Sequence, residues 1–276
     1  MERVIEHAQK AGDRVLAIRA GPNLAHCAQF GPMPVPEAIQ LCQEIIARSG
    51  GDQKAEAVTL RSLAHLHAKR GEFDAARDEY RRARRTLEEL GWKFHAALTS
   101  INSGPIEMLA GDPVAAEAEL RRDYEALDRL GDRNFISTVA AYLAEALCQQ
   151  GRFDDASSMA SFSAGVAAPD DVYTQVALNR VRGKILSWLG QHDAAEATCR
   201  VAVDLSRTED DPTDQADALS ALALVLRAAG RGTDATAAGT EALALYEGKG
   251  NVVSAAGARR FLAAAVDGSV LTSERR

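Results

Sequence analysis

Five copies of one turn decide how this chain folds. They read Gly71-Glu-Phe-Asp-Ala-Ala76, Gly111-Asp-Pro-Val-Ala-Ala116, Gly151-Arg-Phe-Asp-Asp-Ala156, Gly190-Gln-His-Asp-Ala-Ala195 and Gly230-Arg-Gly-Thr-Asp-Ala235. The glycines are spaced 40, 40, 39 and 40 residues apart, and an alanine follows each by five. A second beat falls between them, at Gly50, Gly91, Gly131, Asp170, Asp210 and Gly250, with intervals of 41, 40, 39, 40 and 40. Two interleaved breaks at a single period describe a helix–turn–helix unit stacked on itself. The expectation is all-α: a right-handed superhelical solenoid of antiparallel helix pairs repeating about every 40 residues.

Working outward from the turns, residues 52–70 and 73–90 form the clearest pair. Phe73, Ala76, Tyr80, Ala83, Leu87 and Leu90 step along one stripe of the second helix at helical spacing. Further pairs are expected at 92–110 and 113–130, 132–150 and 153–167, 171–189 and 192–207, and 212–229 and 234–247. Asp52, Asp112 and Asp211 stand where carboxylates cap helix N-termini, the last two followed by Pro113 and Pro212, whose missing N–H costs nothing there. The helix at 153–167 carries only Ala156, Ala160, Ser163 and Ala164 on its stripe and is expected to be the weakest. Pro105 is expected to kink its helix, and Gly21-Pro22 to break the helix at 14–30. Gly31 to Ala38 reads as a stiff elbow before a helix at 37–49. Residues 2–11 read either as the end of a helix whose partner is missing or as a capping helix. A closing helix at 251–266 precedes a polar tail, so the domain is 1–266 with a disordered 267–276.

Hydrophobic residues make up 46% of the 276 and aromatics only 5%, so alanine carries the core, which suits close helix packing. The net charge of −7 argues against nucleic acid as a partner, since a basic face is absent overall. No run of 18 apolar residues would span a membrane, and the N-terminus lacks a signal segment. Cys27, Cys42, Cys148 and Cys199 lie far apart inside apolar helical patterns. They read as buried free thiols of a cytoplasmic protein rather than disulfides or zinc ligands.

The turn Gly-x-x-x-x-Ala, with Ala64, Gly104, Ala144, Gly183 and Ala223 seven residues before the glycines, resembles the tetratricopeptide repeat. A third small position, twelve after the glycine, matches at Ala83, Ala202 and Ala242 and departs at Asp123 and Ser163. Several segments resemble the C-terminal helical region of bacterial multidomain signalling proteins, in which a nucleotide cyclase and an ATPase domain precede the array. They are Phe30-Gly-Pro-Met-Pro-Val-Pro-Glu-Ala-Ile39, Leu109-Ala-Gly-Asp-Pro113, Ala168-Pro-Asp-Asp171 with Thr174-Gln-Val176, Ala221 to Gly230, and Leu245-Tyr-Glu-Gly-Lys-Gly-Asn-Val-Val253. The resemblance implies a regulatory or protein-binding role. It carries over no cyclase or ATPase activity, because no Gly-x-x-x-x-Gly-Lys-Ser/Thr loop is present.

The tetratricopeptide resemblance also implies that first helices line a groove, at positions ten, six and two before each turn glycine. These read Arg61, His65, Lys69; Ile101, Pro105, Leu109; Ala141, Glu145, Gln149; Arg180, Lys184, Trp188; and Ser220, Leu224, Ala228. Two basic clusters flank an apolar stretch. Arg61, Arg180 and Lys184 could grip a carboxylate-bearing peptide, or could be solvated charges on an ordinary helix face. Met108 joins Ile101 and Pro105 as the lining of an alternative small-molecule pocket. Trp188 either stacks on a ligand or packs on the next turn, and Trp92 closes an inter-repeat joint. His65 and His67, two apart on a helix, point to different faces and make no metal pair. No catalytic constellation is visible, and no cofactor is expected. The expected function is a non-catalytic scaffold for a protein or peptide partner. A sensor is the alternative, an enzyme is least favoured, and a homo-oligomer through the last helices competes for any interface.

Overall fold

The computed structural model describes residues 14–273. The helices are α1 (Arg14–Phe30), α2 (Val35–Arg48), α3 (Gln53–Lys69), α4 (Phe73–Glu89), α5 (Lys93–Ala97), α6 (Ser100–Leu109) and α7 (Pro113–Arg129), then α8 (Phe135–Gln149), α9 (Phe153–Val166), α10 (Val172–Trp188), α11 (His192–Ser206), α12 (Pro212–Ala228), α13 (Gly232–Lys249) and α14 (Val252–Ser273). No strand occurs among the described residues. The helices fall into two compact units that meet in sequence at Asp132 and Arg133. Within each unit the pairs repeat antiparallel, as in tetratricopeptide arrays. In the second unit α10 lies against α8 and α12, so first helices neighbour one another, while α9 and α11 each pack on their own first helix and on the next one.

The small residues are the reason the pairs pack so closely. Ala64, Ala144 and Ala223 are buried where first and second helices cross. At Gly183 a Cβ would stand 2.2 Å from Cys199 Sγ and 3.3 Å from the Ala195 carbonyl oxygen, so only glycine allows α10 to approach α11 this closely. The turn glycines serve a different need. Gly71, Gly111, Gly151, Gly190 and Gly230 all have φ between 73° and 86°, the left-handed region that ends a helix at little cost to glycine. Where the second beat has aspartate, the chain turns without a left-handed residue. α9 ends early at Val166, Ala167 is extended (φ −63°, ψ 135°), and Asp171 caps α10 by accepting from Thr174 N at 3.1 Å.

The three expected caps form. Asp52 accepts from Ala55 N at 2.9 Å, Asp112 from Ala115 N at 2.9 Å, and Asp211 from Thr213 N at 2.9 Å and Asp214 N at 3.1 Å. The stripe of α4 is buried from Ala76 to Leu87, but Leu90, beyond the last turn, is exposed. The second helix at 153–166 buries only Ala156, Ala160 and Ser163.

Several expectations are corrected. Pro22 does not break α1, which runs unbroken through it. Gly21 beside it lets Ile45 of α2 come within 2.7 Å of where a Cβ would be, so packing on α2 holds the turn. The 92–110 helix, expected as one kinked at Pro105, is instead interrupted elsewhere. The interruption falls at Leu98-Thr99, between α5 and α6, while Pro105 sits inside α6. The break is stabilised from outside. Asp123 of α7, fully buried at the position where other repeats have alanine, accepts from Ser100 N at 2.8 Å and so caps α6 from a different helix. Ser163, the other departure from alanine, likewise bonds the first helix of its pair, donating to Ser137 O at 2.8 Å. Cys42, Cys148 and Cys199 are buried free thiols, but Cys27 is exposed on α1. The elbow is shorter than expected, because α2 begins at Val35 with Pro36 in its first turn. α14 continues to Ser273, past Val266 and into the segment expected as tail, with no proline to stop it. The expected helix at 2–11 lies outside the described residues.

Candidate functional site

Consider first the groove row of the first unit. His65 and Lys69 of α3 do not face open solvent. Gln29 of α1 places Nε2 2.7 Å from both His65 Nδ1 and Asn102 Oδ1, and Lys69 Nζ donates to the Gln29 carbonyl oxygen at 3.1 Å. This network ties α1, α3 and α6 together and its members are buried, with Gln29 Oε1 the one of its atoms left without a partner. Arg61, a turn earlier on α3, is apart from it and donates from Nη2 to the Leu98 carbonyl oxygen at 3.2 Å, at the α5–α6 break. Ile101, Pro105 and Met108 are half-buried on α6. His67 points away from His65, as its spacing required, and sits 2.8 Å from Glu79 Oε2, which raises its pKa.

The groove row of the second unit holds a longer polar ladder across three first helices. Lys184 Nζ of α10 is 2.6 Å from Glu145 Oε1 of α8, and Gln149 Nε2 also donates to that oxygen at 3.2 Å. Burial works to raise the Glu145 carboxyl, but Lys184 and Arg180 overrule it and hold it down at about 2. Arg180 spans to α12, with Nη1 3.2 Å from Asp214 Oδ1 and Nη2 3.1 Å from Asp217 Oδ2. Tyr246 of α13 closes that end, donating to Asp217 Oδ1 at 2.5 Å. Tyr142 and Tyr173 bond each other through their hydroxyls beside this cluster, and Thr138 and Thr174 do so at 2.6 Å. Asp211, the cap of α12, and Asp214 and Asp217 within it recur every three residues. Burial, with those two like charges, pushes the Asp214 carboxyl up to about 7 even though Arg180 opposes the shift. Arg180 itself stays charged, its pKa lying above the ordinary value, because burial is outweighed by Asp217, Asp214 and Glu145.

The expected basic clusters are therefore not free. Arg180 and Lys184 are committed to carboxylates of this chain, so neither offers an unspent charge to an acidic peptide. Their partners were legible in principle. Glu145 and Lys184 occupy the same repeat position 39 residues apart, and Arg180 and Asp214 lie 34 apart. Opposite charges 34 to 39 residues apart face each other across adjacent first helices. Reading the groove positions one repeat at a time misses Asp214, Asp217, Tyr246 and Gln29.

Trp188 does not join the ladder. It stands in the last turn of α10, 54% exposed, its ring stacked on Phe153 at 4.6 Å and 14°. Phe153 belongs to the preceding turn, not the next. Leu189 is also exposed, and Leu224 on neighbouring α12 is 43% exposed at a groove position. Trp92 packs on the core of the first unit, as expected of a joint, with Lys54 Nζ 3.5 Å above its ring. No group of three or more metal-ligating side chains occurs among the described residues.

No protein-family model matches the sequence, and no curated protein matches it. Solved structures do. The hetero-tetramer of Cut9 and Hcn1 from the APC/C matches with a TM-score of 0.59 at 16% identity, over 94% of this chain and 44% of that one. BtubC (BKLC) from P. vanneervenii matches with a TM-score of 0.52 at 19% identity, over 83% of this chain and 91% of that one. A Signal Transduction ATPase with Numerous Domains carrying a tetratricopeptide repeat sensor, PH0952 from Pyrococcus horikoshii, matches with a TM-score of 0.55 at 12% identity, over 95% of this chain and 39% of that one. The chain spans less than half the length of the first and third of these. The likeness is one of fold, a tetratricopeptide-like helical repeat array.

Proposed function

We propose that this tetratricopeptide-like array is a non-catalytic docking scaffold for a partner protein, engaged at the second unit where Trp188, Leu189 and Leu224 stand exposed. One observation carries the reading. In a chain with two tryptophans, one is more than half exposed yet rigidly backed by the stacked ring of Phe153. A large apolar ring held in place before binding loses little entropy on binding, which is how interface anchors work. The polar ladder ties α8, α10 and α12 to one another within that unit. The resemblance of several segments to the helical region of bacterial cyclase/ATPase proteins, with the structural likeness to a signalling ATPase, supports a role in bacterial signalling. A cytoplasmic setting fits the four free thiols. No helix among the described residues is long and apolar enough to cross a membrane.

The test is affinity capture from the source organism with the immobilised full chain, comparing wild type with a Trp188→Ala, Leu224→Ser variant. Val114→Ala, an exposed apolar site in the first unit, serves as control. The reading expects proteins retained by wild type and by the control to be lost from the double variant. Identical sets on all three would remove it.

A further inference from the structure

We propose that the cleft between α9 and α11 receives a segment of the docked partner in which an acidic residue adjoins an aliphatic one. The proposal rests on the docking reading and deepens it, since exposed Leu189 belongs both to that surface and to the cleft.

The first support is an unspent cation in a formed cleft. The cleft holds about 330 Å³. Ile185, Leu186 and Leu189 of α10 give it an apolar floor, Ser157 and Ser161 of α9 line one wall, and Arg182 of α10 stands among them. Arg182 is half-buried and makes no hydrogen bond or ion pair within the described residues, and no carboxylate lines the cleft. The hydroxyls of Ser157 and Ser161 are equally free. The other polar groups of the lining are spent on their own helices. Asn179 Nδ2 donates to the Gln175 carbonyl oxygen at 2.8 Å, and Thr198 Oγ1 to that of Ala194 at 2.8 Å. A half-desolvated charge without a counter-charge is uncommon in a folded chain.

The second support is a comparison between repeats. Eight residues before the turn glycines stand Leu63, Ser103, Leu143, Arg182 and Leu222. The three leucines are buried, so the arginine stands in the place of a packing residue. The next cleft, between α11 and α13, has Leu222 there, with Leu219 and Leu226 beside it. Its charges are taken up within the chain. Arg207 Nη2 of α11 reaches across to Glu241 Oε1 of α13 at 2.9 Å, Arg200 pairs with Glu196, and Asp234 with Arg231. On α9, Ser157 and Ser161 occupy the positions that Glu196 and Arg200 hold on α11. The α9–α11 cleft thus has a lone guanidinium where a leucine would pack, and serines where a charged pair would stand. A guanidinium fork offers paired donors to a carboxylate, the serine hydroxyls can donate to the same group, and the floor accepts an aliphatic chain. Only a ligand that carries a carboxylate beside an aliphatic group satisfies both parts of this lining.

The test pans a phage-displayed random heptapeptide library on the immobilised full chain and measures the enriched sequences, as synthetic peptides, by titration calorimetry. The expected result is enrichment of peptides in which aspartate or glutamate adjoins leucine, isoleucine or valine, binding about tenfold or more weakly to Arg182→Leu. Leucine is the residue at the equivalent positions, so this variant is expected to unfold at the wild-type temperature or higher. Ser157→Glu gives the cleft a carboxylate of its own and is expected to weaken the same peptides while leaving Arg182 in place. No enrichment, enrichment of peptides without an acidic residue, or binding unchanged in either variant would overturn the proposal. If Arg182→Leu does not fold, unchanged binding to Arg182→Gln is equally fatal. The Trp188→Ala, Leu224→Ser variant separates the two readings. Acidic peptides that still bind it uphold the cleft even if protein capture does not depend on Trp188. Purely apolar peptides that it loses uphold docking at Trp188 and remove the cleft.

Discussion

Asp214 and Glu145 show how residues with the same charge chemistry can pull stability in opposite directions. The Asp214 carboxyl holds its proton more tightly folded than unfolded, because it is buried beside Asp211 and Asp217. Its contribution to stability is therefore complete below the ordinary value of 3.8 and is lost as pH rises through about 7. Glu145, held down at about 2 by Lys184 and Arg180 despite burial, contributes above the ordinary 4.5 and stops contributing as pH falls toward 2. Urea unfolding across pH is expected to show stability falling from about pH 5 to about pH 8 in wild type, with the slope markedly flatter in Asp214→Asn. An unchanged slope would place the titration elsewhere. Gly183 is the other residue on which much depends. Gly183→Ala brings a methyl group against Cys199 Sγ and backbone oxygen, and is expected to cost about 1–3 kcal/mol by urea unfolding.

At the scale of the element, α9 is the expected weak point of the second unit. It buries two alanines and a serine, and nothing larger lies on its buried stripe. Hydrogen exchange is expected to be fastest there among the helices of the second unit. Gly165, exposed near its end, has open space where a Cβ would go and does not have a positive φ. Gly165→Ala is expected to stabilise by about 0.5 kcal/mol, because alanine restricts the unfolded chain and suits a helix better; a loss of stability would contradict this. Helix existence, pairing and caps can all be read from the sequence, since spacing, Asp-Pro pairs and turn glycines act within a few residues. The break at Leu98-Thr99 cannot. No glycine or proline marks it, and what stabilises it is the carboxylate of Asp123, 23 residues on from Ser100. The same reach explains the candidate site. Trp188 is visible as a groove residue, but the neutralisation of Arg180 and Lys184 comes from carboxylates on neighbouring first helices, 34 to 39 residues distant. The proline at 22 overstates the break, because packing on α2 overrides local preference.

For the molecule as a whole, contacts run along the sequence. Within the second unit α12 touches α10, α11 and α13, whereas α9 packs on α8 and α10. In a structure with this neighbour-to-neighbour pattern a core defect should be felt locally before it is felt globally. Leu226→Ala, which empties a fully buried site on α12, is expected to cost about 2–5 kcal/mol. Amide exchange should accelerate first in α11, α12 and α13, and later in α8 and α9. Uniform acceleration across the unit would show that it opens as one block.

The carboxylate at position 123 bears on how such an array could be re-engineered. Averaging the repeats would recommend alanine there, as at Ala83, Ala202 and Ala242. That edit would strip the cap from α6 and the counter-charge from Arg84 in one stroke. The unit containing α5 to α7 is consequently not an interchangeable brick. It is a bespoke pair whose two halves must be transplanted together or left in place.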